Sequence, residues 1–211
     1  MTAFPRFYPI LDVATLQRRG CSLRESAAAM IEGGAHAMQL RLKGNPSQRH
    51  LEDADSVAEL CRRHGVLWIV NDRADVALLT GAGLHLGQDD LPAATARGLL
   101  GETAIIGLST HNAAQMRAAT LEPVDYVAIG PVFATASKEK PDPEVALEGL
   151  AQVRMLTNLP LVAIGGITRE NVESVLEAGA DAVAVIGDLY PDPCDPSNLR
   201  QRVRDWTRLT G

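Results

Sequence analysis

The sequence predicts an α/β protein, a single-domain (β/α)8 barrel over residues 1–211, on three observations. Apolar runs of strand length alternate with segments of helical period along the whole chain. A glycine that ends a helix precedes many of the runs, as in EGGAH, RHGV and EAGA. Eight strands, each followed by a helix, are the count of this barrel, and 211 residues suit one domain at the small end of its range.

Each element follows from its own stretch of sequence. The predicted strands are, in chain order, FYPILD, HAMQLRLK, LWIVND, GLHLGQ, AIIGLS, DYVAIGPVF, LVAIGG and AVAVIGD. The predicted helices are Leu23–Glu32, Gln48–His64, Asp75–Thr80, Ala93–Leu99, Asn112–Ala119, Leu147–Leu156, Arg169–Ala178 and Leu199–Leu209. An open doubly wound sheet uses the same alternation, but the glycine fingerprint that many such sheets carry after the first strand is missing.

Composition excludes several classes of function. The net charge of −6 argues against a nucleic-acid surface, which needs a clustered basic face. No apolar run approaches the roughly 20 residues of a membrane span, and MTAFPRFYPILD lacks the pattern of a signal peptide. The three cysteines match no zinc or disulfide template and are predicted to be free thiols in a reducing cytoplasm. The oligomeric state, a homo-oligomer included, stays open.

Polar residues cluster where the predicted strands end, and the opposite ends carry little besides helix caps and turn glycines. In a barrel of this type the chemistry lies at the carboxyl ends of the strands. The strand-end residues are Gln39, Arg41, Lys43, Asn71, Asp72, Gln88, Asp90, Ser109, Thr110, His111, Thr135, Ser137, Lys138, Gly165, Gly166, Ile186 and Gly187. The sequence therefore predicts one site at this rim.

The second predicted strand has one polar and one apolar side. In AMQLRLK, Gln39, Arg41 and Lys43 alternate with apolar residues. Because the apolar side must face the helices, the polar row should point into the barrel. Burying two unpaired cations costs several kcal/mol, so a protein carboxylate or a substrate phosphate must accompany them. The alternative is an edge strand with a solvated polar side.

Asp72 and Asp90 end neighbouring predicted strands and form a candidate metal site. Magnesium takes one or two protein carboxylates, keeps waters and uses substrate phosphates for its other positions. Two alternatives compete with this interpretation. Asp72 could pair with Arg73 or Arg41, and Asp90 could cap the helix that begins near Pro92.

The sixth predicted strand ends in GPVFATASKEK, where Thr135, Ser137 and Lys138 offer hydroxyl and ammonium donors to a phosphate. Lys140 belongs to an ordinary exposed charge run. Glycines after the seventh and eighth strands let backbone N–H groups approach a phosphate. His111 could be a general base, although a supporting role is more common for a histidine just past a strand. The sequence contains no P-loop and no spacing typical of a Ser-His-Asp triad or a cysteine nucleophile.

These residues, in this order, resemble thiamine-phosphate synthase, also called thiamine-phosphate pyrophosphorylase. The matching pieces are QLRLK, VNDRADVA, GLHLGQDDLP, IGLSTH, DYVAIGPVFATASK, VAIGGI and GADAVAVI. The resemblance implies a (β/α)8 fold and the joining of two small-molecule substrates. Hydroxymethylpyrimidine diphosphate loses pyrophosphate, and the nitrogen of thiazole phosphate attacks the freed methylene carbon.

The resemblance also implies roles for individual residues. The row from Gln39 through Arg41 to Lys43, together with Asn71, would bind the pyrimidine diphosphate. Asp72 and Asp90 would hold Mg²⁺, and Ser109 and Lys138 would contact the diphosphate. Arg41, Ser109 and Lys138 would be the catalytic groups. The thiazole phosphate would be held by Thr135, Ser137, Gly165, Ile186 and Gly187.

The chain departs from the family pattern at several positions. Leu42 and Gly44 stand where Glu and Asp are usual, and Ser137 replaces a threonine but keeps the hydroxyl. Gln115 stands where Glu is usual, and Ala146 where Gly is common. At the eighth strand, VIGDL replaces VVSAI, so Gly187 loses a hydroxyl. Asp188 adds a negative charge that would repel a nearby phosphate unless its side chain turns away.

Two other functions compete with the synthase. A thiazole tautomerase of the same fold would use His111 as acid and base, but that branch tends to lack the two acids found here. A non-catalytic barrel that binds thiamine precursors would have kept the diphosphate pocket while its eighth-strand loop decayed. The presence of Asp72, Asp90 and Lys138 favours the synthase over both.

Overall fold

The computed structural model describes residues 4–135 and 142–211 of the chain. Eight parallel strands form a closed barrel in which each strand pairs with its neighbours in sequence and β8 pairs with β1. The strands are β1 (Phe7–Asp12), β2 (Ala37–Arg41), β3 (Leu67–Asn71), β4 (Gly83–Leu86), β5 (Ile106–Thr110), β6 (Tyr126–Ile129), β7 (Leu161–Ile164) and β8 (Ala182–Val185). The predicted (β/α)8 barrel is confirmed.

The helices lie around the strands. They are α1 (Val13–Arg18), α2 (Leu23–Glu32), α3 (Gln48–His64), α4 (Ala74–Thr80), α5 (Ala93–Leu100), α6 (Ala113–Ala119), α7 (Ala146–Arg154), α8 (Val172–Glu177) and α9 (Pro196–Thr210), with a 3₁₀ turn at Gly187–Leu189. The predicted bounds of α2 and α3 agree with the structure. Helix α1 was not predicted. It follows β1 directly, and the Asp12 carboxylate caps it by accepting the Thr15 N–H at 2.8 Å.

Apolar side chains pack in two layers, one inside the strands and one between the strands and the helices. On β2, Met38 and Leu40 face the outer layer, whereas Gln39 points inward and donates to the hydroxyl of Tyr8. The polar row thus begins inside the barrel, as the alternation predicts. Because the barrel is closed, the alternative of a solvated edge strand is wrong.

The ring of Tyr126 fills the interior of the barrel next to Gly107 on β5. A methyl group on Gly107 would lie 2.1 Å from Cζ of Tyr126, the residue that pairs with it on β6. Glycine at this position is therefore what lets the Tyr126 ring occupy the barrel interior. Among the helices of the described ranges, none combines the length and apolar character needed to cross a membrane.

Candidate active site

Asp72 lies just past β3 and turns its carboxylate towards the barrel rim. Its backbone adopts the left-handed region, with φ of 63°, which Asp and Asn tolerate better than most residues. The Asp72 N–H still donates to the carbonyl of His85 at 2.8 Å, so β3 stays joined to β4 at this point. The carboxylate forms an ion pair with Lys43. The predicted alternatives, a pair with Arg73 or with Arg41, are both wrong, because those arginines bind Asp75 and Asp12.

Asp90 folds back over the loop after β4. Its Oδ2 accepts the N–H of Gly87 at 2.7 Å. Helix α5 begins after Pro92, with no side chain hydrogen-bonded to its first turn, so Asp90 is not its cap. The capping alternative is wrong, and the side chain is left to face Asp72.

The two carboxylates interact electrostatically. Burial raises the pKa of Asp90, and the neighbouring Asp72 carboxyl raises it further against the opposing effects of Gly87 and Lys43. A pair of acids in mutual repulsion is relieved by a hard cation, so these residues fit a magnesium ion. Within residues 4–135 and 142–211 no group of three or more His, Cys, Asp or Glu side chains is placed to hold a metal. Two carboxylates would leave the other positions to water and substrate oxygens.

Arg41 is held by a carboxylate that the sequence analysis missed. Its Nη1 lies 2.6 Å from Oδ2 of Asp12, and Asp12 is only 4% exposed. Burial acts to raise the pKa of Asp12, but hydrogen bonds from Thr15 and Arg41 outweigh it and keep the pKa below its usual value. The Tyr190 hydroxyl accepts the Asp12 N–H at 3.1 Å and donates to the Ile10 carbonyl at 2.7 Å. Asp12 ends the first predicted strand, FYPILD, as Asp72 ends the third, and this position is the sequence feature that could have identified it.

A chain of hydrogen bonds, buried except for the partly buried bond to Ser109, crosses the barrel from β2 to β5. Gln39 Nε2 lies 3.0 Å from the Tyr8 hydroxyl, which lies 3.1 Å from the Tyr126 hydroxyl. The Tyr126 hydroxyl lies 2.8 Å from Nδ1 of His85, and His85 Nε2 lies 2.8 Å from Oγ of Ser109. Two of the predicted site residues, Gln39 and Ser109, are its ends. The sequence analysis missed the three residues between them, although His85 alternates with outward leucines on β4 and so had to point inward.

Of the other predicted site residues, Asn71 ends its strand, whereas Gln88 and Thr135 lie in the loops after β4 and β6. Asn71 is the last residue of β3 and is partly buried. Gln88 donates to the Ser109 carbonyl at 2.6 Å and joins the loop after β4 to β5. Thr135 is partly buried at the end of the described stretch after β6. Ser137 and Lys138 lie outside the described residues.

The glycines after β7 serve the packing of the barrel rim. Gly165 has φ of +99°, and a methyl group there would lie 2.5 Å from Cβ of Pro131. At Gly166 it would lie 2.5 Å from the Ala134 carbonyl. These glycines let the stretch after β6 lie against β7.

His111 is engaged by two neighbouring segments. Its Nδ1 lies 2.5 Å from the Gly130 carbonyl and 3.5 Å from Oδ2 of Asp142. Its backbone N–H donates to Oε1 of Gln115 at 2.7 Å. The geometry joins the ends of β5 and β6, which is the supporting role that a histidine just past a strand commonly has.

Comparisons with known proteins agree on one family. Residues 7–189 match the family model described as thiamine monophosphate synthase. A thiamine-phosphate synthase of Koribacter versatilis is 43% identical over 208 residues, which are 97% of this chain and 95% of that protein. One from Pelotomaculum thermopropionicum is 46% identical over 171 residues, 81% of this chain and 78% of that protein. The solved thiamine phosphate pyrophosphorylase of Pyrococcus furiosus superposes with a TM-score of 0.84 at 30% identity, covering 98% of this chain and 95% of that one.

The chain belongs to the thiamine monophosphate synthase family. The resemblance drawn from the sequence is thus confirmed, and with it the class of activity, that of an enzyme that forms thiamine phosphate.

The departures from the pattern of thiamine-phosphate synthases that bear most directly on a phosphate site are Gly187 and Asp188, just after β8. Gly187 begins the 3₁₀ turn, and a methyl group there would meet no atom within 4 Å, so neither close packing nor a positive φ requires glycine. The Asp188 carboxylate lies 2.8 Å from Nε of Arg169 and 3.5 Å from Nη1 of Arg202. The side chain has turned to two arginines that balance its charge, so the predicted repulsion of a phosphate is largely offset.

Proposed function

We propose that this chain is a Mg²⁺-dependent transferase that condenses 4-amino-2-methyl-5-hydroxymethylpyrimidine diphosphate with thiazole phosphate, giving thiamine phosphate and pyrophosphate. The observation that carries the proposal is the pair of facing carboxylates, Asp72 and Asp90, beside Lys43. Arg41 stands on β2 at the same rim. A metal held by acids with cations around it matches the chemistry of a leaving diphosphate.

The reaction needs charge stabilisation and orientation and no covalent enzyme nucleophile. The bond between the methylene carbon and the diphosphate oxygen breaks, and its electron pair leaves with pyrophosphate. The electron-rich aminopyrimidine shares the positive charge left on the carbon. The thiazole nitrogen then donates its lone pair to that carbon and forms the new C–N bond. Holding both substrates in line accounts for a large share of the acceleration.

The cations and hydroxyls of the rim would stabilise the departing pyrophosphate. Arg41 keeps a fixed direction because Asp12 holds it, while Lys43 is half exposed and can move between Asp72 and a substrate oxygen. Ser109 and Lys138 would donate to the diphosphate. When bound by Asp72 and Asp90, Mg²⁺ would supply positive charge to the diphosphate oxygens.

The remaining proposed contacts divide between the two substrates. Gln39 and Asn71 would bind the pyrimidine side. The thiazole phosphate would be held by Thr135, Ser137, Gly165, Ile186 and Gly187. We place the reaction in the cytoplasm, which the free thiols of Cys21, Cys61 and Cys194 support.

The test is an assay for thiamine phosphate with both substrates and Mg²⁺, comparing Asp72→Asn with the unchanged chain. Asn is preferable to Ala because it also tolerates φ of 63° and so leaves the backbone unstrained. We expect Asp72→Asn to lower kcat/KM by about 10² or more, since it removes a metal ligand and a contact of Lys43. Asp75→Asn is the matched control, because Asp75 lies three residues further along the chain and pairs with Arg73, so this variant should keep activity within about twofold.

Other outcomes point to the competing functions. No thiamine phosphate from the unchanged chain, together with His111-dependent isomerisation of a carboxylated thiazole, would favour the tautomerase. Tight binding of both substrates without turnover would favour the non-catalytic barrel. Activity in Asp72→Asn equal to that of the unchanged chain would remove the metal role of Asp72.

A further inference from the structure

The buried chain from Gln39 to Ser109 consists of groups that hold or accept protons in a fixed order. Tyr8 and Tyr126 are fully enclosed, and burial raises the pKa of both hydroxyls well above its usual value. Both therefore remain protonated, and each has one proton to give. Which way those protons point decides what His85 and Ser109 can do.

The direction is set at the Gln39 end. The Gln39 amide nitrogen can only donate, so the Tyr8 oxygen accepts there. Within residues 4–135 and 142–211, the other hydrogen-bond partner of the Tyr8 hydroxyl is the Tyr126 hydroxyl, so Tyr8 gives its proton to Tyr126. The reverse order would leave a buried Tyr8 proton without an acceptor, at a cost of about 1–3 kcal/mol.

The same logic continues to β5. The Tyr126 oxygen is occupied as an acceptor from Tyr8, so its proton goes to Nδ1 of His85. A neutral imidazole that accepts at Nδ1 carries its proton on Nε2. That nitrogen donates to Oγ of Ser109, whose own proton is then directed elsewhere.

We infer that Gln39, acting through Tyr8, Tyr126 and His85, fixes the Nε2–H tautomer of His85 and thereby commits the Ser109 hydroxyl to donate towards the site. Tyr8, Tyr126 and His85 are positioning residues, because they act through Ser109. The ligand class that this arrangement recognises is an anionic oxygen such as that of a diphosphate. The identity of that ligand rests on the proposed function, but the proton order within the barrel does not.

The inference has a direct spectroscopic test. The chain labelled with ¹⁵N-histidine would be examined by long-range ¹⁵N–¹H NMR near neutral pH, with the His85 signals assigned from their loss in His85→Gln. We expect Nε2 to be protonated and Nδ1 bare. A His85 ring with its proton on Nδ1 would overturn the inference, whatever reaction the chain catalyses.

A double-mutant cycle tests whether Tyr126 acts through Ser109. Binding of inorganic pyrophosphate with Mg²⁺ would be measured by calorimetry for Tyr126→Phe, Ser109→Ala and the double variant. We expect each single variant to weaken binding about tenfold, the worth of one hydrogen bond to a charged group, and the double variant to match Ser109→Ala. Losses that multiply in the double variant, or Tyr126→Phe binding as tightly as the unchanged chain, would overturn the inference.

Controls separate positioning from folding. Thr80→Val removes a buried hydroxyl that donates to the Val76 carbonyl within α4 and has no part in the proposed site, so this variant should bind pyrophosphate like the unchanged protein. If Tyr126→Phe fails to fold, Tyr8→Phe replaces it in the double-mutant cycle. This variant removes the hydroxyl that precedes Tyr126 in the hydrogen-bond chain from Gln39 to Ser109. If the protein makes no thiamine phosphate but shows the expected His85 tautomer and the expected double-mutant cycle, the proposed function is refuted and this inference stands.

Discussion

At the scale of single residues, the carboxylate of Asp90 lowers the stability of the fold when it is ionised. Its raised pKa means that ionisation is harder in the folded chain than in the unfolded one. Below the ordinary carboxyl pKa both states are protonated and the penalty vanishes. As pH rises through the window from that ordinary value to the raised one, the penalty develops and then stays.

Asp90→Asn should therefore stabilise the metal-free chain at neutral pH and have little effect in acid. The amide oxygen can still accept the Gly87 N–H, so the loop keeps its hydrogen bond. After solvent screening the gain should be on the order of 0.5–1 kcal/mol. Urea unfolding across a pH series would measure it.

Asp75→Asn provides a control of opposite sign. Arg73 lowers the pKa of Asp75 to about 2, so this carboxylate stabilises the fold above its unfolded pKa and the benefit is lost as pH falls towards 2. The variant should be less stable at neutral pH. If Asp90→Asn also lost stability at neutral pH, burial and the neighbouring Asp72 carboxyl would not together raise the pKa of Asp90.

Residue types at strand ends predicted which side chains reach the rim, but not how they pair. The alternation in β2 predicted that Gln39 points inward, because a strand has only two sides. The partners Asp12, Tyr8 and Tyr126 come from distant parts of the sequence. They meet Arg41, Gln39 and His85 only because the barrel closes in one register, which no local pattern specifies.

At the scale of elements, the start of α7 has a strained residue. Ala146 has φ of 55°, in the left-handed region that costs an L-residue roughly 1–2 kcal/mol. Its N–H donates to the Val132 carbonyl at 3.1 Å, which holds the entry to α7 against the end of β6. Glycine, common at this position in the family pattern, would adopt this φ without strain.

Ala146→Gly should raise the free energy of unfolding by about 0.5–1 kcal/mol, since the relief of strain exceeds the extra entropy of glycine in the unfolded chain. Thermal or urea unfolding would measure it. The matched control is Ala151→Gly in the exposed middle of α7, which should lower stability by about 1 kcal/mol. Equal losses in both variants would mean that position 146 is not strained.

Element boundaries were predicted where local chemistry marks them. Ser22 and Ser47 cap α2 and α3 through their side chains, and both helices are long enough for the periodicity to stand out. Helix α1 has six residues and follows β1 without a loop, so its hydrophobic pattern could not be told apart from that of the strand. Several predicted strands ran too far, because the polar residues at their ends belong to the loops of the candidate site.

At the scale of the whole molecule, the barrel interior and the site depend on the same rings. Tyr126 lies edge-on to Tyr8 with ring centroids 6.1 Å apart, and it also contacts Phe4 and His85. The hydroxyls of these two tyrosines carry the hydrogen bonds that lead to Ser109. A change that moves the Tyr126 ring should therefore disturb packing and site together.

Gly107→Ala is the smallest change that does this. The added methyl would lie 2.1–2.5 Å from three atoms of the Tyr126 ring, and a ring enclosed by the barrel has little space in which to retreat. We expect a loss of about 3 kcal/mol or more, at or beyond the usual cost of overpacking, because a rigid ring and not a flexible chain end opposes the methyl. Urea unfolding would measure this loss, and the Nε2–H signal of His85 should shift or broaden in any folded fraction.

Gly98→Ala makes the same chemical change where the structure leaves room. Gly98 lies within α5, and a methyl there would meet no atom within 4 Å. Alanine should stabilise the helix by about 1 kcal/mol. The two variants differ only in what surrounds the new methyl, so opposite signs would attribute the loss at position 107 to the Tyr126 ring. A Gly107→Ala chain as stable as Gly98→Ala would mean that the ring does not lie across β5, and the proton order from Gln39 to Ser109 would lose its middle link.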